Sequence, residues 1–198
     1  MAVSIDDIRK LKELTGVGLT DAKVALVEAD GDFDKALEAM RKKGLTKAEK
    51  KADREAREGI IDSYVHGGRI GVLVEVNCET DFVARTEGFK DFAHAIALQV
   101  ASMAPTYVSE ADIPAEELER VRSEAMEKVV AEGKPAEMAE KIVEGQVKKH
   151  FADKVLLNQA YIMDDSMTVG QFLKENIGKM GENIIIRQFK RIELGVNE

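Results

Sequence analysis

Tryptophan is absent from the 198-residue sequence, and cysteine occurs only once. The single cysteine, Cys78, excludes an intrachain disulfide and fits a reducing compartment, so we interpret it as a small buried hydrophobic residue. No apolar run reaches the roughly 18 residues of a membrane span, and the first residues lack the basic and apolar regions of a signal peptide. We therefore expect a cytoplasmic protein with no membrane partner and a mainly aliphatic core.

Positive charge is also in short supply, which limits the classes of partner. With 29 basic and 37 acidic residues the net charge is −8, which argues against direct binding of nucleic acid in general. The segment 41–57 is the exception, since it holds eight basic residues and three acidic ones. We interpret it as a solvated, partly helical connector; the alternative is a basic arm that steers an acidic partner or RNA.

Motifs for covalent chemistry and cofactor binding are missing. The sequence has no phosphate-binding loop, no dinucleotide fingerprint and no nucleophile–histidine set in a recognised motif. His66 has no second ligand at metal-binding spacing, and the pair Asp164–Asp165 lacks further oxygen ligands, so we interpret the pair as a solvated turn. A hydrolase that uses Glu79, Asp81 or the aspartate pair is the weakest alternative. We expect no enzyme activity, no cofactor and no metal site.

The first 44 residues have the apolar spacing of three short helices. Ser4 is the predicted cap of the first helix, Thr20 or Asp21 opens the second, and Gly44 ends the third. A bundle of about forty residues lies near the lower limit for independent folding. We therefore expect a small helical module in front of a larger core.

The remaining sequence predicts a core that mixes strands and helices. Strands are predicted at Ile60–Val65 and Arg69–Val76, joined by a turn at His66-Gly67-Gly68, and a last strand at Glu182–Leu194 is apolar on both faces at Ile184–Ile186. Helices are predicted at Phe89–Met103, from Pro114 to about Glu132, from Met138 to Phe151 after a break at Gly133–Pro135, and at Thr168–Lys174.

These elements predict the α+β class. A three-helix N-terminal bundle is followed by a core in which a small antiparallel sheet, of about three strands, is packed by helices. The predicted division is a helical module at 1–45, a basic linker or helix at 46–58, and a core at 59–198.

The spacing of apolar residues changes from a strand pattern to a helix pattern at one place in the predicted core. Val72, Val74 and Val76 alternate with Leu73, Glu75 and Asn77, as in a half-buried strand, and helical spacing follows. Thr80 has the position of a helix cap, so the chain is expected to turn a corner at 80–83. A rigid aromatic side chain beside a carboxylate at such a corner has the makings of a wedge for another protein.

The residues around this corner carry a resemblance to a known family. The string Asn77-Cys78-Glu79-Thr80-Asp81-Phe82-Val83-Ala84 resembles the signature of elongation factor Ts, the nucleotide-exchange partner of the translational GTPase elongation factor Tu. Further similarity lies at Leu11–Lys23, Gly133–Lys149 and Thr168–Glu175, so the resemblance covers nearly the whole chain. The N-terminal bundle is similar to a ubiquitin-associated-type module, which the family carries at its start.

The resemblance implies a function without covalent chemistry. The chain would be a guanine-nucleotide exchange factor in translation elongation, binding elongation factor Tu in its GDP-bound and nucleotide-free states. Thr80, Asp81, Phe82 and Val83 would enter the GTPase beside its magnesium site and displace the elements that hold the ion. The alternatives are purely structural: the Asp81 carboxylate would only interact favourably with the helix dipole, and the Phe82 ring would only fill a core.

The resemblance also implies weaker contacts and an assembly. Lys12, Leu19, Thr20 and His66 would touch the GTPase, although Leu19-Thr20 stands where the family often has two methionines. Short members with a single core look like homodimers that bind two GTPase molecules, a 2:2 complex. A different function, a ubiquitin-associated-type adaptor that binds peptides, would use residues 2–44 alone.

Overall fold

The computed structural model of the chain describes residues 3–15, 17–131 and 136–196, without the side chains of 41, 43–47, 136 and 137. Its helices are α1 Ile5–Thr15, α2 Leu19–Glu28, α3 Phe33–Glu49, α4 Asp81–Ala84, α5 Glu87–Met103, α6 Ala115–Ala131, α7 Ala136–Ala152 and α8 Val169–Met180. Its strands are β1 Glu58–His66, β2 Ile70–Cys78, β3 Ala160–Tyr161, β4 Asp164–Thr168 and β5 Ile184–Glu193. The predicted α+β class, with helices first, is confirmed.

The N-terminal bundle consists of α1, α2 and α3 around a core of its own. The Ser4 hydroxyl accepts a hydrogen bond of 3.1 Å from the Asp6 amide, as expected of a helix cap. The buried face of α1 is narrower than the spacing of its apolar residues predicts, because Leu11 is buried while Ile5 and Leu14 are exposed. The buried apolar residues of this bundle are Leu11, Ala22, Ala25, Leu26, Ala36 and Met40.

Two helix boundaries in this region were predicted wrongly. The second helix begins at Leu19, after a Gly18 cap that has no side chain to offer. The third helix does not end at Gly44 but continues to Glu49. A glycine inside a helix costs only about 1 kcal/mol relative to alanine, and the burial of Ala48 in the main core favours continuation. The predicted break at Gly133–Pro135 lies outside the described residues, and the three-part domain division stays a prediction.

The main sheet is antiparallel, with strand order β1-β2-β5. The predicted hairpin is confirmed, since Gly67 and Gly68 have positive φ angles of 54° and 68° and the Arg69 amide donates to the His66 carbonyl at 2.9 Å. Two positive φ angles in succession match the right-handed twist of paired strands, and glycine adopts them most easily. The turn places His66 at one end of the sheet.

Helix α5 covers the inner face of the sheet. Val72, Val74 and Val76 point inward from β2, and Phe89, Phe92, Ala93, Ile96, Ala97 and Val100 point toward them from α5. Helix α8 closes the same core, where the Phe172 ring stacks on that of Tyr161 with centroids 4.2 Å apart. Each large side chain buried here contributes about 1.5–3 kcal/mol to folding.

The second half of the core differs from its prediction in three places. The pair Asp164–Asp165 is not a turn but the start of β4, because Tyr161 is buried and pairs directly with Asp164 across the turn residues Ile162 and Met163. Helix α8 continues past Lys174 to Met180 and ends at Gly181. The run Ile184–Ile186 is buried only at Ile184 and Ile186, with Ile185 partly buried on the other face.

Helices α6 and α7 form a hairpin beside this core. Val129 and Val143 are buried between them, and Val121 and Phe151 form a second small cluster at the base. Among the described residues, no helix is both apolar enough and long enough to cross a membrane.

Gly59 gives a test of this packing. Its φ is 148°, and an added Cβ would lie 2.0 Å from the Val76 carbonyl oxygen on the paired strand. We expect Gly59→Ala to lower the free energy of unfolding by about 2 kcal/mol or more, because backbone atoms cannot yield cheaply. Gly71→Ala is the matched control, with nothing within 4 Å of its Cβ, and should change stability by less than about 1 kcal/mol. Urea denaturation followed by circular dichroism measures both; equal effects would contradict the prediction.

Candidate functional site

The predicted corner follows directly from the end of β2. Strand β2 stops at Cys78, and Thr80 then caps the one-turn helix α4, accepting from the Val83 amide through its hydroxyl at 3.4 Å. A second cap, Thr86, starts α5 by accepting from the Phe89 amide at 3.3 Å. The sequence spacing had suggested a single helix, whereas two caps divide it into α4 and α5. The result is a short projecting turn, residues 80–83, that we call the Thr80 corner.

Phe82 is the exposed side chain of the Thr80 corner. It is 79% exposed, the highest value among the large exposed apolar side chains of the described residues. Its neighbours point the other way, since Val83 packs on the main core and Ala84 is 5% exposed. Leaving a phenylalanine in water forgoes about 1.5–3 kcal/mol of burial, so the fold gains nothing from this placement. The interpretation of Phe82 as a core plug is therefore excluded.

Asp81 precedes Phe82 in the Thr80 corner and is also accessible. Its side chain is 45% exposed, and its Oδ2 is 2.8 Å from the Arg85 guanidinium one helical turn later. Ion pairs of this kind between exposed side chains contribute little to stability, typically up to about 1 kcal/mol. The carboxylate is thus held in place but can exchange its partner at low cost.

Two carboxylates tie the Thr80 corner to the start of β5. The Glu182 carboxylate accepts from the Glu79 amide at 3.1 Å, the Thr80 amide at 3.0 Å and the Thr80 hydroxyl at 2.6 Å. In return, the Glu79 carboxylate accepts from the Asn183 amide at 2.6 Å and lies 3.5 Å from the Arg54 guanidinium. Bonds to ionised acceptors are among the stronger ones in proteins. We call this arrangement the carboxylate clasp.

Cys78 is buried behind the same corner. Its thiol donates to the Thr80 carbonyl at 3.1 Å. Burial, together with the nearby charge of Glu182, raises the pKa of the Cys78 thiol to about 11. A thiol in this state is protonated at neutral pH and is a poor nucleophile. The interpretation of Cys78 as a small hydrophobic residue is confirmed.

His66 lies far from the Thr80 corner. The register pairs Glu58 with Cys78 at one end of the hairpin, and His66 with Ile70 at the other. Eight residues of extended strand span about 25 Å. The exposed His66 ring forms a hydrogen bond of 3.0 Å between its Nδ1 and the Tyr64 hydroxyl. The structure therefore does not bring His66 and the corner into one site.

The other weaker candidates lie on the N-terminal bundle. Lys12 is exposed in the last turn of α1. Leu19, 53% exposed, and Thr20, also exposed, open α2. An exposed leucine with an exposed polar neighbour at a helix start is compatible with a contact surface. The predicted site residues therefore occupy three separate places, the bundle, the hairpin turn and the Thr80 corner.

The carboxylates proposed for hydrolysis have local partners instead. Besides the clasp at Glu79 and the ion pair at Asp81, the Asp164 carboxylate accepts from the Ser166 amide at 3.1 Å. Across the described ranges, no three His, Cys, Asp or Glu side chains converge as metal ligands would. The contacts at Glu79 and Asp164 are local structural ones, and the contact at Asp81 is an exposed ion pair.

Sequence comparison with known proteins decides the family. A family model described as Elongation factor TS matches residues 45–196, which include the Thr80 corner. The chain belongs to the elongation factor Ts family. It is 49% identical over 194 residues to the elongation factor Ts of Caldanaerobacter subterraneus subsp. tengcongensis, covering 98% of the chain and 97% of that protein.

Other members of the elongation factor Ts family match to a similar extent. The protein of Coprothermobacter proteolyticus is 48% identical over 196 residues, covering 98% of the chain and all of that protein. The protein of Carboxydothermus hydrogenoformans is 51% identical over 189 residues, covering 95% of the chain and 87% of that protein. The chain is therefore similar along nearly its whole length to elongation factor Ts proteins, and the resemblance first seen at Asn77–Ala84 is confirmed.

Sequence reasoning missed the residue that holds the corner. Glu182 is 102 residues from Thr80 in the chain, and its own surroundings predicted only the start of a strand. One usable signal was Gly181, which ends α8. The end of a helix offers free carbonyls and no free amides, so a carboxylate placed directly after it, such as Glu182, needs amide donors from another element. That element could not be identified without the fold.

Cys78 yields a prediction about reactivity. With a pKa of about 11, the native thiol should react with iodoacetamide at pH 8 about 100-fold more slowly than in guanidinium, or more slowly still. Because the folded pKa exceeds the unfolded one, the stabilising effect of the protonated thiol is complete below about pH 8.5 and is lost as the pH rises to about 11. Labelling followed by mass spectrometry checks the ratio; rapid native labelling at pH 8 would refute it.

Proposed function

We propose that the chain is a guanine-nucleotide exchange factor for elongation factor Tu, and that the Thr80 corner carries the exchange. The observation that supports this most directly is Phe82, an aromatic side chain that is 79% exposed at a capped corner beside a carboxylate. Within the family resemblance, this corner enters the GTPase near its magnesium site. Displacing the elements that hold the ion weakens the binding of the phosphates, and GDP leaves.

The size of the required effect fits a wedge of this kind. Accelerating release a thousandfold needs roughly 4 kcal/mol of barrier lowering, since each tenfold is about 1.4 kcal/mol. One well-buried aromatic anchor can contribute about 2–4 kcal/mol at an interface. Phe82 and Asp81 together are therefore of the right order. The chain must bind nucleotide-free elongation factor Tu more tightly than the GDP-bound form, because the coupling between the two ligands is reciprocal.

The remaining exposed candidates extend the contact. Lys12, Leu19 and Thr20 would dock the N-terminal bundle on the GTPase, and His66 would touch it at the far end of the sheet. Because these positions lie away from the Thr80 corner, they would add affinity and orientation more than acceleration. The chain supplies no cofactor, metal or covalent step in this scheme, and the exchange takes place in the cytoplasm.

The adaptor function accounts for less of the molecule. A ubiquitin-associated-type adaptor needs only residues 2–44, while the family match covers 45–196. It also leaves Phe82 and the carboxylate clasp without a purpose. We therefore favour nucleotide exchange.

The outer face of the main sheet supports a homodimer. The register places Ile61 and Val65 of β1, Leu73 of β2 and Ile192 of β5 on this face, opposite the face that α5 covers. Each of the four is more than half exposed. Polar side chains lie between these four residues, so the face is a mixed apolar and polar surface, as at many interfaces between subunits. We propose that a second copy of the chain packs here, so that two subunits bind two molecules of elongation factor Tu.

Phe82→Ala and Asp81→Ala test the exchange site. Loss of the aromatic anchor should slow GDP release by about 30-fold, which corresponds to about 2 kcal/mol, while the fold remains intact because the ring is not packed in a core. Release of a fluorescent GDP from elongation factor Tu measures the rate. Val130→Ala, which truncates another exposed apolar side chain on α6, is the control and should leave the rate unchanged. Full acceleration by both folded corner variants would remove the proposal.

The homodimer has a separate test. Leu73→Lys places a charge on the middle strand of the outer face and should convert the dimer to a monomer at micromolar concentration, because a buried unpaired charge is expensive. Analytical ultracentrifugation measures the mass. Val130→Lys, on α6, should leave the mass unchanged. If the unmodified chain sediments as a monomer, the dimer proposal fails, and the outer face is then free for the GTPase.

A further inference from the structure

The Thr80 corner contains a helix that is too short to be stable by itself. Helix α4 has only four residues, and a single turn of helix is unstable by itself because nucleation fixes several residues for one hydrogen bond. Phe82 contributes nothing to holding it, since its ring is in water. The conformation that exposes Phe82 must therefore be held by contacts from outside the 80–83 segment.

Val83 and Ala84 supply the apolar part of those contacts by packing on the main core, and Glu182 supplies the polar part. Its Oε2 accepts from the amides of Glu79 and Thr80, and its Oε1 accepts from the Thr80 hydroxyl at 2.6 Å. These donors are the two residues that join β2 to α4, so one side chain fixes the direction in which the chain leaves the sheet. Both carboxylate oxygens are used, and both sets of bonds are charge-assisted.

The bond to the Thr80 hydroxyl also sets the helix cap. A hydroxyl has one proton to donate, and this proton is directed to Glu182. The oxygen lone pairs are then free to accept from the Val83 amide, which is the capping bond of α4. Without Glu182, the Thr80 side chain loses the partner that holds its χ1 rotamer, and the cap weakens.

The clasp extends this support to the body of the protein. Glu79 accepts from the Asn183 amide, and the Asn183 carboxamide donates to the carbonyls of Ala52 at 3.2 Å and Arg54 at 2.7 Å. The start of β5 is thereby joined to both the Thr80 corner and the connector after α3. Glu182 is thus anchored in a rigid place from which to hold the corner.

We propose that Glu182 is a positioning residue for nucleotide exchange, holding the Thr80 corner in the conformation that presents Phe82 to the GTPase. The proposal rests on the exchange function proposed above. Its physical basis is preorganisation: a wedge that is already ordered does not lose conformational freedom when it enters the partner. Glu182 itself need not touch elongation factor Tu.

The experiment is a double-mutant cycle between Glu182 and Phe82. Glu182→Ala should lower the maximal rate of fluorescent-GDP release by about tenfold, the effect expected for losing charged hydrogen bonds. In a Phe82→Ala background the same change should cost clearly less, about threefold, because only Asp81 of the wedge is left to position. A merely structural role would give the same factor in both backgrounds, and that result would overturn the proposal.

Two further variants keep the test decisive. Glu182→Gln retains the size and one acceptor oxygen, so its rate should lie between those of wild type and Glu182→Ala, and it replaces the alanine variant if that one unfolds. Glu127→Ala, an exposed glutamate on α6, should leave release unchanged. Circular dichroism establishes that each variant is folded at the assay temperature.

The failures of the two proposals are distinguishable. If Phe82→Ala slows release but a folded Glu182→Ala does not, the exchange function stands and the positioning role is wrong. If Phe82→Ala retains full activity, the wedge itself is wrong, and the positioning role falls with it.

Discussion

The packing of α5 against the inner face of the sheet determines most of what is distinctive in this protein. Val74 and Val76 of β2 and Phe89 and Ile96 of α5 are fully buried in the same core, so strand and helix are both fixed. The chain must pass from one to the other within residues 79–86. It does so by inserting a single capped turn, and a turn this tight has room to bury only one side. Phe82 lies on the other side, so the exposed aromatic follows from the topology of the core.

The sequence was most informative where local chemistry decides the structure. Alternating valines identified β2, and paired glycines identified the hairpin. Thr80 was recognised as a cap because a side-chain oxygen before a helical pattern satisfies free amides. The Thr80 corner was predicted for the same reason. That Phe82 is exposed could be suspected from its position beside Asp81, but helical spacing alone would have placed it in the stripe with Phe89.

The errors arose where distant residues override local preference. Gly44 was predicted to end α3, but the burial of Ala48 extends the helix beyond it. Gly18 was not predicted as the cap of α2, because it has no side chain with which to accept a hydrogen bond. Asp164 was placed in a turn because neither the burial of Tyr161 nor its pairing could be seen in the sequence. Glu182 was missed entirely. Its contacts cross more than a hundred residues, and no local pattern encodes a partner at that separation.

The continuous helix α3 has a consequence for partner choice. It contributes Ala36 and Met40 to the N-terminal core and Ala48 to the main one, with about 1.5 Å of rise for each residue between them. A helix resists bending far more than a flexible tether does, and Lys174 contacts its end through Glu49 at 3.4 Å. The length of α3 therefore sets the separation between the bundle and the sheet. In the exchange function proposed above, a GTPase whose docking surfaces for the bundle and the Thr80 corner are spaced differently would fit less well, even if each surface matched.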